Sequence, residues 1–256
     1  MTQKERLIFL NKELLAERPD ARRFVLPEKE NDLFRLYRSL VNVREAAPVS
    51  EDFLKIQDEF LKKESSKKGI VEISDMTEVR QGIYLWQGDI TRLNVGAIVN
   101  AANSGMTGCY YPCHGCIDNV IHTYAGVQLR IECDEIMKSQ GFPEPTGKAK
   151  ITDSYNLPCE KVIHTVGPIV SGRLTEEHCQ LLKSCYTSCL ELADEAKLES
   201  IAFCCISTGE FHFPNEAAAH IAIDTVTRYK EETGSNIKVI FNVFKDIDLE
   251  IYKSLL

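Results

Sequence analysis

From Gly69 onward the chain alternates short β-prone apolar runs with helical stretches, and this alternation restricts the fold more than any other feature. The runs lie at 83–86, 96–99, 148–152, 161–166, 200–206 and 238–243, and the spacing between them predicts helices near 117–139, 175–196, 214–232 and 246–255. Strands separated by helices need crossover connections, so they form a largely parallel sheet covered on both faces, with room for antiparallel edges. The expected fold class is α/β. In open sheets of this kind ligands bind beyond the carboxyl ends of the strands, which makes the strand-to-helix loops the places to look for function.

The first 68 residues have a different texture and no cysteine. Leu7, Leu10 and Leu14 recur at helical spacing, as do Leu33, Leu36, Tyr37 and Leu40, and then Phe53, Ile56, Phe60 and Leu61. Pro19, Pro27 and Pro48 punctuate these segments, and Ser50-Glu51-Asp52 reads as an N-cap followed by an acidic first turn. Three helices are expected, as an N-terminal helical extension over 1–69 that ends in the polar stretch E-S-S-K-K-G at 64–69; the main domain would span 70–256. Apolar stripes need a surface to cover, so the extension is expected to pack on that domain.

Charge narrows the function. Residues 1–70 carry 15 Lys/Arg against 13 Asp/Glu, and the remaining 186 carry 15 against 25. An acidic domain with no basic cluster after Lys67-Lys68 argues against nucleic-acid binding, so any phosphate it holds must be met by backbone N–H groups and helix N-termini. There is no apolar run of about 18 residues and no signal-peptide pattern, so no membrane partner and a cytoplasmic location are expected. The ten cysteines are clustered or set in apolar strands, which points to metal ligation and reduced core thiols.

Three of those cysteines fall within the eight positions 109–116, between the run at 96–99 and the helix expected from 117. There Cys109, Cys113, His114 and Cys116 form C-x3-C-H-x-C, soft or borderline ligands that suit zinc. Adjacent Cys113 and His114 ligate together only awkwardly, so Cys109, His114 and Cys116 are the expected set, leaving an open fourth position as catalytic zinc does. The bland alternative is a loop with incidental thiols. Asp89, after a strand end, could accept a hydrogen bond from an adenine amine or sugar hydroxyl, or simply cap a turn. The segment I-S-T-G-E-F-H-F-P at 206–214 has the placement of an anion-holding loop, or of a plain β-α turn. Gly209 would let the backbone approach a pyrophosphate, Phe211 could stack, and His212 could stand near substrate. His122 and His164 lie in apolar runs and are expected to be satisfied core residues; Cys185, Cys189, Cys204 and Cys205 read as small core residues.

Taken together, G-D-I-T at 88–91, V-N-A-A-N-S at 99–104, C-I-D-N-x-I-H at 116–122, A-G at 125–126 and S-T-G-E-F-x-F-P at 207–214 resemble the macrodomain family in order and spacing, over about residues 70–256. The Gly-rich stretch usual after N-A-A-N is replaced here by G-C-Y-Y-P-C-H-G-C. That replacement is similar to the zinc-containing macrodomains, whose pattern C-x-x-P-x-H-x-C is met by Cys109, Pro112, His114 and Cys116.

The resemblance implies a three-layer α/β/α sandwich that binds ADP-ribose. Asp89 and Ile90 would hold the adenosine end, and Ser207, Thr208, Gly209, Glu210 and Phe211 would wrap the diphosphate. Asn100 and Asn103 would contact substrate, with Asn103 and Asp118 lining the distal ribose as the catalytic pair. In this branch it implies a zinc-dependent hydrolase that removes ADP-ribose from mono-ADP-ribosylated protein side chains, acidic ones in particular. A sirtuin-like ADP-ribosyltransferase and a lipoyl carrier protein are the implied partners. The competing readings are a non-catalytic ADP-ribose reader with a structural zinc, and a structural zinc module.

Overall fold

The structure, a computed structural model, describes residues 1–19 and 24–256. The N-terminal region forms three helices, α1 (Gln3–Ala16), α2 (Glu30–Val43) and α3 (Glu51–Lys68). Local chemistry sets their ends. Thr2 Oγ1 accepts from the Glu5 N–H at 3.2 Å while Glu5 Oε2 accepts from the Thr2 N–H at 2.7 Å, a reciprocal cap on α1. Ser50 caps α3 through the Phe53 N–H, Glu51 and Asp52 sit at its positive end, and Gly69 at φ +84° closes it. Leu7, Leu10, Leu33, Tyr37, Phe60 and Leu61 meet in a core of their own, which Tyr124 and Val127 join from the chain that follows. Removing each such side chain from water contributes roughly 1.5–3 kcal/mol, and the burial of Tyr124 and Val127 ties the helices to the residues beyond them.

The following strands are β1 (Val71–Glu72), β2 (Thr77–Arg80), β3 (Ile83–Gln87), β4 (Leu93–Asn94) and β5 (Ala97–Ala102). After α4 (Ile117–Ala125) and α5 (Val127–Gln140) come β6 (Ala149–Asp153), β7 (Lys161–Val166), α6 (Glu176–Glu195), β8 (Ser200–Phe203), α7 (Asn215–Thr233), β9 (Lys238–Val243) and α8 (Asp246–Leu255). Seven strands make one sheet in the order β2-β3-β9-β8-β5-β7-β6. The five central strands run parallel and the edges β2 and β6 antiparallel, while β1 and β4 pair separately. Ile98, Val99, Val162, Ile163, Ile201 and Val239 are all buried, as strands covered on both faces must be. The fold is a mixed, mostly parallel sheet flanked by helices on both faces, with an N-terminal helical region.

The boundaries differ from expectation in places. β5 continues to Ala102, so Asn100 belongs to the strand rather than to the loop after it and pairs in register with His164. β8 ends at Phe203 rather than 206. The single helix expected over 117–139 is two, broken at Gly126. There φ is +99°, and a Cβ would stand 2.6 Å from Gln57 Nε2 and 2.7 Å from Gln128 Oε1. The strands β1, β2 and β4 are additional, being short and largely polar with no apolar run to mark them.

Candidate functional site

The loop joining β5 to α4 gathers the three expected ligands. The donor atoms of Cys109, His114 and Cys116 all lie within 4.8 Å of one another, with Cys109 Sγ 3.7 Å from His114 Nδ1. Tetrahedral zinc bonds of about 2.0–2.3 Å set donors about 3.3–3.8 Å apart, so the set fits that ion with little movement. Burial pushes the Cys116 thiol up, and a thiolate there therefore calls for a neighbouring cation. Cys113 faces elsewhere: at φ +55°, its N–H donates to Asn42 Oδ1 at 2.9 Å and its thiol to the Arg35 carbonyl at 3.4 Å.

Asp118, in the first turn of α4, is 4 % exposed. Its Oδ1 accepts from Asn100 Nδ2 at 2.8 Å and its Oδ2 from Asn103 Nδ2 at 3.3 Å. Burial pushes its carboxyl up to about 6, opposed by the Asn100 bond, the Arg130 charge and the Asn103 bond. Asn103 also folds its own loop, donating to the Gly108 carbonyl at 3.0 Å and accepting from the Gly105 N–H at 2.9 Å. Beneath lies His164, satisfied as expected by Asn100 Nδ2 at 3.1 Å and Thr152 Oγ1 at 3.0 Å, and lowered by burial to about 3. His122 corrects the sequence reading. It is buried, but neither ring nitrogen has a hydrogen-bond partner among the described residues; Asp118 Oδ1 lies 3.5 Å from Nε2, and Cys133 and His164 stand beside the ring. Burial holds it far below the usual imidazole range, so it is neutral.

The loop after β8 is shaped by its backbone. Ser207 and His212 take φ of +65° and +55°, a conformation that side chains rarely adopt and that costs of order 1–3 kcal/mol. The Phe213 N–H returns to the Ser207 carbonyl at 3.0 Å, the His212 N–H to Gly209 at 3.1 Å, and Thr208 Oγ1 donates to the Cys205 carbonyl at 3.0 Å. Among the described residues, the N–H groups of Gly209, Glu210 and Phe211 meet no protein acceptor. Gly209 and Glu210 are exposed, Phe211 is half-buried and His212 exposed. The Ser207 hydroxyl is buried, without a hydrogen-bond partner among the described residues, against Gly167, where a Cβ would come within 2.0 Å of it. Glu210 Oε1 lies 3.8 Å from His114 Nε2, so this loop and the cysteine-bearing loop meet.

At the far end, Asp89 caps the 3-10 turn Ile90–Arg92, accepting from the Thr91 N–H at 3.0 Å and hydroxyl at 2.6 Å. Its other oxygen accepts from Lys68 Nζ at 2.8 Å. Burial raises this carboxyl, but the Lys68 and Thr91 bonds outweigh it and hold the group below the usual carboxylate range. Ile90 is buried beside it. Lys68 also stands 3.3 Å over the Tyr124 ring. Phe244, 73 % exposed, follows β9 directly, beside Gly88, whose N–H donates to Val243. Sequence reasoning passed over it, though an aromatic at the carboxyl end of the last strand is a signal in itself.

These loops share the carboxyl edge of neighbouring parallel strands, and comparison with known proteins gives the arrangement a family. A Macro domain profile matches residues 99–222. A protein-ADP-ribose hydrolase of Treponema medium is 53 % identical, with both chains covered in full, and one of Staphylococcus aureus is 49 % identical over 98 % of this chain and 95 % of its own. Both alignments run through the N-terminal helices. A Trypanosoma brucei macrodomain in complex with ADP-ribose superposes with a TM-score of 0.66 at 29 % identity, over 85 % of this chain and 94 % of that one. Sheet order, loop positions and full-length relatives agree, and the chain belongs to the macrodomain family.

Proposed function

We propose that this chain is a hydrolase that releases ADP-ribose from mono-ADP-ribosylated protein side chains, acidic ones in particular, and that it uses zinc. The observation that carries the reading is the meeting of His114 with Glu210, which brings three clustered soft ligands and the Asp118 carboxylate to one end of an anion-accepting backbone. The full-length relatives named protein-ADP-ribose hydrolase support it.

ADP-ribose would lie along the carboxyl edge of the sheet. Phe244 offers a flat face to the adenine, with Asp89 and Ile90 beside it. The free N–H groups of Gly209, Glu210 and Phe211 receive the diphosphate, with Ser207 and Thr208 shaping the turn, so no basic patch is needed. The distal ribose then reaches Asn103 and Asp118. Asn103 hydrogen-bonds the ribose in place of its 3.3 Å bond to Asp118, without adding charge, and Asn100 holds Asp118 from beneath. Asp118 orients the ribose and accepts the proton of the attacking water, whose oxygen forms the new bond as the side-chain carboxyl leaves. Zinc held by Cys109, His114 and Cys116 would supply an electrophile for an oxygen at the scissile bond.

The division into an extension over 1–69 and a macrodomain over 70–256 belongs to the same reading, supported by the separate core of the three helices. Ten free thiols suit the reducing cytoplasm, and no helix among the described residues is long and apolar enough to cross a membrane. A sirtuin-like ADP-ribosyltransferase as writer and a lipoyl carrier protein as target follow from the family resemblance, and co-purification tests them.

The test is release of ADP-ribose from a protein modified on acidic side chains. The wild-type chain should release it, His114→Ala and Cys116→Ala should not, and Asn103→Ala should release it more slowly, all remaining folded. A wild-type chain that retains the modified protein without releasing ADP-ribose is a reader, and the proposal fails.

A further inference from the structure

We infer that α2 is part of the active site: Arg38 and Asn42 are positioning residues that aim the metal-holding loop, in addition to packing the N-terminal helices. The inference rests on the zinc reading above. Residues 107–116 contain no helix or strand, and one backbone hydrogen bond, His114 N–H to Tyr111 at 3.2 Å, closes within them. Within them Tyr110 Oη also donates to Thr107 Oγ1 at 3.3 Å and Cys109 Sγ lies 3.7 Å from His114 Nδ1, while the other ties to their backbone come from outside.

Arg38 Nη2 donates to the His114 carbonyl at 2.5 Å, and Nη2 and Nε donate to Asn119 Oδ1 at 2.9 and 3.3 Å. That fixes which way the buried Asn119 amide points. Its Nδ2 then donates to the Tyr111 carbonyl at 2.9 Å and the Cys109 carbonyl at 3.4 Å. One guanidinium thus acts on two of the three ligands, directly on the peptide of His114 and through Asn119 on that of Cys109. Fixing a carbonyl fixes the peptide plane and so the direction of the adjoining Cα–Cβ bond, which aims the ligand. Asn42, 1 % exposed, adds a second tie: its Oδ1 accepts from the Cys113 N–H and its Nδ2 donates to Thr123 Oγ1 on α4 at 3.1 Å. A lysine could not reproduce the fork, since its ammonium is a point charge without fixed parallel donors.

Outer-shell partners of metal ligands set affinity by about 10–100-fold. The full-length chain and its Arg38→Ala, Arg38→Lys and Asn42→Ala variants are compared by zinc affinity against a competing chelator, by ADP-ribose calorimetry, and by amide exchange over 108–116 in the metal-free protein. We expect Arg38→Ala to lose zinc affinity by about 10–100-fold and to exchange faster in the loop, with ADP-ribose affinity and exchange in α1 near wild type. Asn42→Ala should show the same pattern more weakly, and Arg38→Lys should recover only part of the loss. Wild-type zinc affinity and loop exchange in Arg38→Ala overturn the inference, as does a loss spread evenly through all three helices and ADP-ribose binding. A wild-type chain that takes no zinc fails the functional reading instead, and the loop exchange of Arg38→Ala then still decides whether α2 aims the loop.

Discussion

The two loops that meet at His114 and Glu210 are built in opposite ways. The loop after β8 closes mostly on itself, with bonds such as Phe213 to Ser207 and His212 to Gly209 that span a few residues, and one longer tie from the Val170 N–H to the Phe211 carbonyl at 2.9 Å. The loop before α4 is braced from far away: Arg38 reaches His114 across 76 positions, Asn42 reaches Cys113 across 71, and Arg130 holds the Thr107 carbonyl at 2.7 Å while also bonding the carbonyls of Val41 and Arg44. On the function proposed above, the difference follows from the task. A diphosphate accepts many donors of tolerant geometry, so local backbone suffices. Metal ligands and a carboxylate must be held within about 0.5 Å of productive geometry, and an unstructured loop borrows that rigidity from packed helices.

The largest expected effect separates chemistry from binding. Asp118→Asn keeps size and one of the two accepted side-chain hydrogen bonds but cannot accept a proton, so hydrolysis should fall about 10²–10⁴-fold, far more than calorimetric ADP-ribose affinity. Equal losses in both would erase the division between the loops. Next is Gly167→Ala, aimed at a place where the loop after β8 packs closely on a neighbour. Its Cβ would come 2.0 Å from Ser207 Oγ, and the forced shift should cost about 1–3 kcal/mol in denaturant unfolding and weaken ADP-ribose binding.

Acid should act on the braced side. His164 is held near 3 in the fold against about 6.5 unfolded, so the unfolded chain takes up the proton first. Its contribution is complete above about 6.5 and is lost as pH falls toward 3, by up to about 1.4 kcal/mol per pH unit. Melting temperatures from pH 7 to 5 should therefore fall more steeply for wild type than for His164→Gln; parallel curves would contradict the burial of a neutral ring under Asn100. Smallest is Gly209→Val, whose Cβ meets no protein atom within 4 Å. Stability should change by less than about 0.5 kcal/mol, whereas ADP-ribose affinity should drop roughly tenfold, about 1.4 kcal/mol, because the backbone is no longer open to the ligand.

The same contrast explains what could be read beforehand. Ile98, Val99, Val162 and Ile163 are buried on both sides of the sheet, so their strands appear as apolar runs, whereas the edge strand Thr77–Arg80 is mostly polar and carries no such mark. The cluster of Cys109, His114 and Cys116 was legible because its three donors fall within eight residues. Arg38 and Asn42 were not: polar positions on an amphipathic helix look like its solvent face, and only the docking of α2 against α4 turns them inward. Lys68 lies in the polar stretch read as a boundary, yet it holds Asp89 and covers Tyr124. His122 read as a satisfied core residue because Asp118, four residues before it, is local, whereas Cys133 and His164 come from α5 and β7 and nothing in the sequence places them there. Gly126 reads as a tolerable helix glycine until Gln57 and Gln128 are seen to crowd it.

The most direct measurement is single-turnover release of ADP-ribose from a modified protein by zinc-loaded and zinc-stripped chain, both shown to be folded and to bind free ADP-ribose equally. We expect the stripped chain to bind normally and release nothing, with activity restored by added zinc. Release at the full rate without zinc would contradict the division proposed here, making Cys109, His114 and Cys116 a structural clasp and leaving the chemistry to Asn103, Asp118 and a positioned water.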